Sequence, residues 1–449
     1  MIHQRAFICG HFTSNNVQGL TKQLTEWGWQ KGNVSVKEAV KEGYYTSFQN
    51  FMFSKSLSQG CYTFCRPINS QVPIGNTSIQ VQEIQLNILP LNVVIFSIEI
   101  EQHSDSIKEL CMTIRKLRNC RRYKNISNEW TQFVVRPLKD ACQFLTNNPN
   151  ASYIDFVENS DRMKIMKVVW SDNGFEHLDT INRKCLLYNL CTSDNKTNDE
   201  GTLTDETHRH ILNKIRDYSL SVFKQWEALS LPDSFTVLYY EAMPDGIISQ
   251  QMNRKGVIES YDPWALHFKL LYIYTLFQKC YLFKLNNSHF EILHDMAGCQ
   301  ETNSLQNIKQ IINPHTTPLQ QLIKEMNIFE NRYVFYNISY NMFTMDLYKS
   351  IYKGLQVSQE RREIYRIIKS EQKEADASNI KALNNILLLL SLFTLFSAIL
   401  AACQLLENIL PFDWWLPSKA IGYLIITLLL LLLFSFMIWK MSSSHSKRK

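Results

Sequence analysis

Proline and glycine are scarce in this chain, 12 and 14 of 449 residues. With apolar residues at 45% and aromatics at 12%, that scarcity excludes collagen-like, low-complexity and wholly disordered classes. It is most extreme from 319 to 410, where there is no proline and a single glycine, Gly354, so nothing there forbids a very long helix. An excess of one charge is lacking too: 47 basic against 41 acidic residues, a net +6, is too even to argue for nucleic acid. The chain has no P-loop, no Gly-x-Gly-x-x-Gly, no His-Glu-x-x-His and no Gly-x-Ser-x-Gly, and no enzyme is expected from it. Its first residues, MIHQRAFICGHF, hold no apolar run of the signal-peptide kind. Cysteine is present as an odd 11, and Cys61 with Cys65 has neither zinc-ribbon spacing nor a second pair, so buried free thiols are expected. His208 and His210 lie two apart and point to different faces of a helix, which reads as a solvated pair.

At this length two or more domains are expected. Residues 92–101 (NVVIFSIEIE) read as a strand and 106–117 as a helix with apolar Ile107, Leu110, Cys111, Ile114 and Leu117 on one face, together an α/β unit. Residues 192–204 read as a polar loop, with a helix starting at Thr204; 235–243 and the chain from 247 read as a hairpin about Pro244-Asp245-Gly246; 264–283 reads as a buried helix. From 339 to 403 a single helix is expected, with mixed charges over 359–381 as in a solvated stalk and Gly354 as its hinge.

Two stretches, 386–406 and 420–439, carry no charge and are long enough for the ~30 Å hydrocarbon core of a bilayer, so two membrane-crossing helices are expected. A short loop, 407–419, joins them, and the basic tail 440–449 sets a topology with both termini cytoplasmic: a multi-pass protein of the inner (plasma) membrane. On a helical wheel the first stretch gathers Ser391, Thr394, Ser397, Ala398, Ala401 and Gln404 on one arc, extended by Asn384, while the second has no such stripe. The stripe reads either as tight helix packing through small residues or as the lining of a pore in a ring of copies. In the ring, Glu407 and Asn408 form the outer mouth, carboxylates and amides that attract cations.

The order of elements, an α/β body, a long stalk, two C-terminal spans and the tail Lys447-Arg448-Lys449, resembles the CorA-like magnesium transporter superfamily. Of that family's Gly-Met-Asn the nearest match is Leu406-Glu407-Asn408, so only Asn408 carries over. The resemblance implies a homopentamer and divides the chain into an N-terminal α/β domain (1–195), a second mixed part (196–338), a stalk (339–385), a pore-lining span (386–406), a loop (407–419), a second span (420–439) and a tail (440–449). The branch associated with type III CRISPR systems fits best; it implies a membrane effector opened in antiphage defence by a nucleotide second messenger, an S-adenosylmethionine–AMP conjugate. A divalent-cation transporter and a non-conducting membrane-anchored interaction protein are the alternatives. No cofactor beyond that activator or a divalent cation is implied, and the partners are the membrane and further copies of the chain, not nucleic acid. The densest basic cluster, Arg115, Lys116, Arg118, Arg121, Arg122 and Lys124 beside Tyr123, could hold the activator's phosphates or simply balance a helix dipole.

Overall fold

The computed structural model describes residues 1–14, 20–31, 43–54, 60–118, 126–150, 163–193, 212–213, 215–223, 225–241, 249–252, 258–261, 267–299 and 318–409. The chain divides into two compact units, Met1–Lys369 and Ser370–Lys449. In chain order the elements are β1 (Ile2–Thr13), α1 (Leu20–Glu26), β2 (Gln30–Lys31), α2 (Thr46–Met52), β3 (Tyr62–Ile74), β4 (Thr77–Leu89), β5 (Val93–Ser104), α3 (Ile107–Arg118), α4 (Asn128–Trp130), a π-helical turn (Thr131–Val135), α5 (Arg136–Thr146), β6 (Lys164–Ser171) and α6 (Thr180–Thr192). There follow β7 (Ser219–Phe223), β8 (Trp226–Leu231), β9 (Ser234–Tyr239), β10 (Ser249–Met252), β11 (Ile258–Tyr261), α7 (Lys269–Cys299), α8 (Pro318–Tyr333), α9 (Met342–Gly354) and α10 (Val357–Ile409).

Nine strands form one sheet in the order β2-β3-β4-β5-β1-β6-β9-β8-β7. All neighbours are antiparallel except β6 and β9. Ile74 pairs with Thr77 across a two-residue turn in which Gly75 takes φ 67°, a left-handed conformation open to glycine at no steric cost. The alternation of β1 sorts the core. Ala6 and Ile8 face a layer built by α5 with Trp130 and Val134, while Phe7 and Cys9 face α7 and its neighbours α2, α8 and α9. The body is thus a helix–sheet–helix sandwich, and α6 closes the far half of the sheet through Leu186, Leu187 and Leu190.

One polar cluster is built into the α7 side of the sheet. Lys269, at the start of α7, lies 3.0 Å from Glu99 and 3.2 Å from Glu83, and the Arg5 Nε donates to Glu99 at 2.7 Å. Burial pushes the Glu99 carboxyl up, but the charges and hydrogen bonds of Lys269 and Arg5 outweigh it and hold the group at about 2.

β7, β8 and β9, which follow residue 196, complete the same sheet as β1 to β6. Three expectations are corrected. β9 does not pair with the chain beyond 247: it is apolar toward both faces (Val237 to one cluster, Leu238 to another), so it sits inside the sheet between β6 and β8, and β10 pairs with β11 instead. The single helix expected from 339 is two, α9 and α10, separated at Gln356, which takes φ 59°. The backbone turns at Gln356, two residues beyond Gly354. A Cβ at Gly354 would stand 1.9 Å from Ser230 Oγ and 2.6 Å from the Ser230 carbonyl carbon, so this glycine permits close packing of α9 on β8.

The third correction concerns the membrane. Among the described residues no helix is long and apolar enough to cross one. The expected transmembrane pair, and with it the ion channel and the multi-pass inner-membrane localisation, is not sustained. The second expected span, 420–439, lies outside the described residues, as do the loop from 410 and the tail 440–449.

Candidate functional site at the root of the long helix

Helix α10 is 53 residues long, and its first turns are fastened to the body by charge. The break before it is locally specified. The N–H groups of Gln359 and Glu360 both donate to the Gln356 carbonyl at 3.1 Å, while α9 ends with the Leu355 N–H on Ile351 O at 2.9 Å. That leaves the Leu355 carbonyl facing α7, where Lys279 Nζ donates to it at 2.8 Å and pairs with Glu360 at 3.1 Å. One ammonium therefore serves the C-terminal end of α9, where the helix dipole favours a cation, and the first turn of α10.

The adjacent residue makes a second clamp to a different helix. Arg361 meets Glu330 of α8 in a bidentate pair, Nε donating to Oε1 at 2.6 Å and the second guanidinium nitrogen to Oε2. The same guanidinium donates to the Tyr336 hydroxyl and lies 5.2 Å from that ring. Planar two-point pairing of this kind fixes orientation as well as distance.

Behind Lys279 stands a group rich in cations. Asp233, in the β8–β9 turn, accepts from Arg118 at 2.7 Å and from Lys164, and its backbone carbonyl accepts the Ile165 N–H at 3.0 Å. Burial raises the Asp233 carboxyl, yet Lys164, Arg118 and Lys279 together hold it below its ordinary value. Lys164 is itself pulled down by burial, and Lys279 and Arg118 add to that against the pull of Asp233. The nearby His11 is lowered to about 4 by burial and by Lys164. Arg118 Nε, in a buried side chain, meets no acceptor. Three cations thus converge on one carboxylate, with Glu360 as the second.

The basic cluster singled out in the sequence is split. Arg115 is exposed on α3, whereas Arg118 is buried and spent on Asp233 and the Thr192 carbonyl. Arg121, Arg122, Tyr123 and Lys124 lie outside the described residues, as do His208 and His210. Of the stripe on α10, Asn384, Ser391, Thr394, Ser397, Ala398 and Ala401 are exposed, and so are Leu387, Leu390 and Phe393 on other arcs. Ser391 Oγ donates to Leu388 O and Thr394 Oγ1 to Ser391 O, each at 2.8 Å, so both hydroxyls are satisfied within their own helix. Gln404, Glu407 and Asn408 belong to α10, and their side chains lie outside the description. Among the described residues no group of three or more His, Cys, Asp or Glu is placed to hold a metal ion.

Lys279, Glu330, Asp233, Glu360 and Arg361 were not singled out in the sequence, because each partner lies on a different element. Glu360 and Arg361 fell within the charged stretch 359–381 read as a solvated stalk, and no spacing there marks them as paired to other helices. No family of known proteins, no curated protein and no solved structure matches the chain.

Proposed function

We propose that this chain is a ligand-responsive effector without catalytic chemistry, in which the α/β body senses a small anionic ligand of the nucleotide class and passes the change into α10. The observation that carries this reading is the pair of clamps at consecutive positions, Glu360 to α7 and Arg361 to α8. Two helices of the body hold one lever, so a small shift between them is converted into rotation of α10 at its root. Ion pairs suit such a joint: each is directional, and a ligand charge arriving nearby changes its strength. The cations around Asp233 supply the electrostatic sensitivity.

The far part of α10 supports assembly as the output. Leu387, Leu388, Leu389 and Leu390 are consecutive, so they point all round the helix, and every one is exposed in the single chain. Further copies of the chain, assembled about α10, supply the apolar surround they require; the resemblance implies five.

The test is hydrogen–deuterium exchange of the full-length chain over 357–369, alone and with linear and cyclic nucleotides, the S-adenosylmethionine–AMP conjugate included. One ligand is expected to change exchange there, and Lys279→Gln with Glu330→Gln to abolish that response. If no ligand alters exchange at 357–369 and the double substitution leaves it unchanged, the sensor reading is wrong.

A further inference from the structure

Next to the Arg361 clamp the body carries a cavity of about 610 Å3 between the end of α2 and the end of α8, lined by Asn50, Phe51, Phe53, Arg332 and Phe335 with two serine hydroxyls. A second depression of about 310 Å3 adjoins it along α8, shares Arg332 and includes Lys324, Asn327 and Asn331. Across the two, the lining offers two cations and no carboxylate.

Acids are not missing from this helix. Glu330 is committed to Arg361, and Glu325 accepts from Gln321 at 3.3 Å. Among the described residues Arg332 and Lys324 nevertheless have no ion pair, and both are exposed. Lys324 and Arg332 lie about 12 Å apart along the axis of α8, at ~1.5 Å per residue, so an anion longer than a single phosphate spans them.

The aromatic wall is held in place before any ligand arrives. The Phe335 N–H donates to the Tyr274 hydroxyl at 2.8 Å and its carbonyl accepts from the Tyr348 hydroxyl at 3.5 Å. Its half-buried ring stands 5.7 Å from that of Phe51, which is itself buried and whose carbonyl accepts the Cys61 N–H at 2.7 Å. Phe53, half-buried, offers a second ring, and Asn50 an amide with both donor and acceptor.

We propose that this groove binds a nucleoside polyphosphate: the base enters against Phe335 and Phe53 with Asn50 at its edge, Arg332 takes the first phosphates, and the chain runs toward Lys324. Aromatic faces stack a planar base without regard to its identity, and guanidinium is the cation best matched to phosphate oxygens. The volume is in the range of small-molecule sites. The groove deepens the sensor reading, since Arg332 and Phe335 flank Glu330 and Tyr336, the two partners of Arg361 on α10; binding itself is measured independently of that consequence.

The experiment is calorimetric titration of the full-length chain with the four common nucleoside triphosphates, adenosine and inorganic tripolyphosphate. At least one triphosphate is expected to bind, with adenosine and tripolyphosphate each at least about 10-fold weaker; Arg332→Gln should weaken the triphosphate about 10-fold and Lys324→Gln about 3-fold, with Arg332→Lys between. Both side chains are exposed, so an unchanged circular dichroism spectrum excludes misfolding as the cause. No binding by any triphosphate at millimolar concentration, or tripolyphosphate binding as tightly as the triphosphates, or full affinity in Arg332→Gln, would overturn the assignment. Binding without any change of exchange at 357–369 keeps the groove and removes the sensor reading. A nucleotide that alters that exchange equally in wild type and Arg332→Gln does the reverse.

Discussion

The body, 1–369, and the outer part of α10, 370–409, solve the burial problem in opposite ways. The body is self-sufficient: aromatic and aliphatic side chains fill both faces of the sheet, and its interior charges answer one another, Glu99 with Lys269 and Arg5, Asp233 with Lys164 and Arg118. On α10 beyond the root the polarity is inverted, with Leu383, Ile386, Leu387, Leu390, Phe393 and Leu395 all exposed. The contrast teaches that the first region buries its apolar side chains against its own elements, while those of the second find no cover among the described residues. Glu360 and Arg361, within the body, fix the first turns of α10 to α7 and α8.

The largest expected effect breaks the body's self-sufficiency. Lys269→Gln leaves Glu99 buried with Arg5 alone and should cost about 3–5 kcal/mol of stability, measured by denaturant unfolding of the full chain. Stability within 1 kcal/mol of wild type, as an order of magnitude, would mean that Arg5 alone compensates the carboxylate. On the other side of the comparison, Leu387→Glu with Leu390→Glu should dissociate the assembly, read by sedimentation with and without detergent, while body stability stays as in wild type. An unchanged sedimentation profile would show that these leucines are not what assembly covers.

Next in size is the packing of α9 on β8. Gly354→Ala should destabilise by about 1–3 kcal/mol through its clash with Ser230, and the double variant Gly354→Ala with Ser230→Gly should recover only the side-chain part, because the Ser230 backbone carbonyl carbon at 2.6 Å remains. If the alanine variant instead unfolds like wild type, the close approach is relieved by shifts elsewhere. Breaking one clamp by Glu330→Gln should cost only about 1 kcal/mol globally, because Glu330 and Arg361 keep part of their surface in water, yet it should raise exchange at 357–369.

The smallest effect is a pH dependence. His11 is lowered in the folded body to about 4 from its ordinary 6.5. Between those values the unfolded chain binds the extra proton, so stability rises with pH over roughly pH 4–6.5 and is lost as pH falls through that window. Glu99, held at about 2 against an ordinary 4.5, has the same sign in a lower window: its contribution is complete above about 4.5 and lost toward about 2. His267, likewise lowered to about 4 by burial, contributes to the same upper window, so His11→Gln should reduce the slope there without abolishing it and leave the lower window unchanged; a midpoint that shifts with pH identically in both proteins would exclude His11.

What the sequence determined by itself was whatever rests on local periodicity. The alternation of 92–101 and the spacing of Ile107, Leu110, Ile114 and Leu117 specify β5 and α3, and the absence of proline from 319 to 410 permits α8, α9 and α10. The polar stripe from Ser391 to Ala401 is equally local, but its meaning was not: Ser391 and Thr394 return their hydroxyls to their own helix, which hydropathy patterns do not register. The tertiary structure alone decided the rest, because it depends on residues far apart in the chain. The helix breaks at Gln356 where α9 ends packed on Ser230, β9 takes β6 and β8 as neighbours because both its faces are apolar, and Arg118 turns inward because Asp233 is there to meet it. The groove of Arg332 joins α2 to α8, two elements that no spacing rule connects, and the clamps of Glu360 and Arg361 reach α7 and α8. A charge in a sequence carries no record of its partner; long-range packing supplies it.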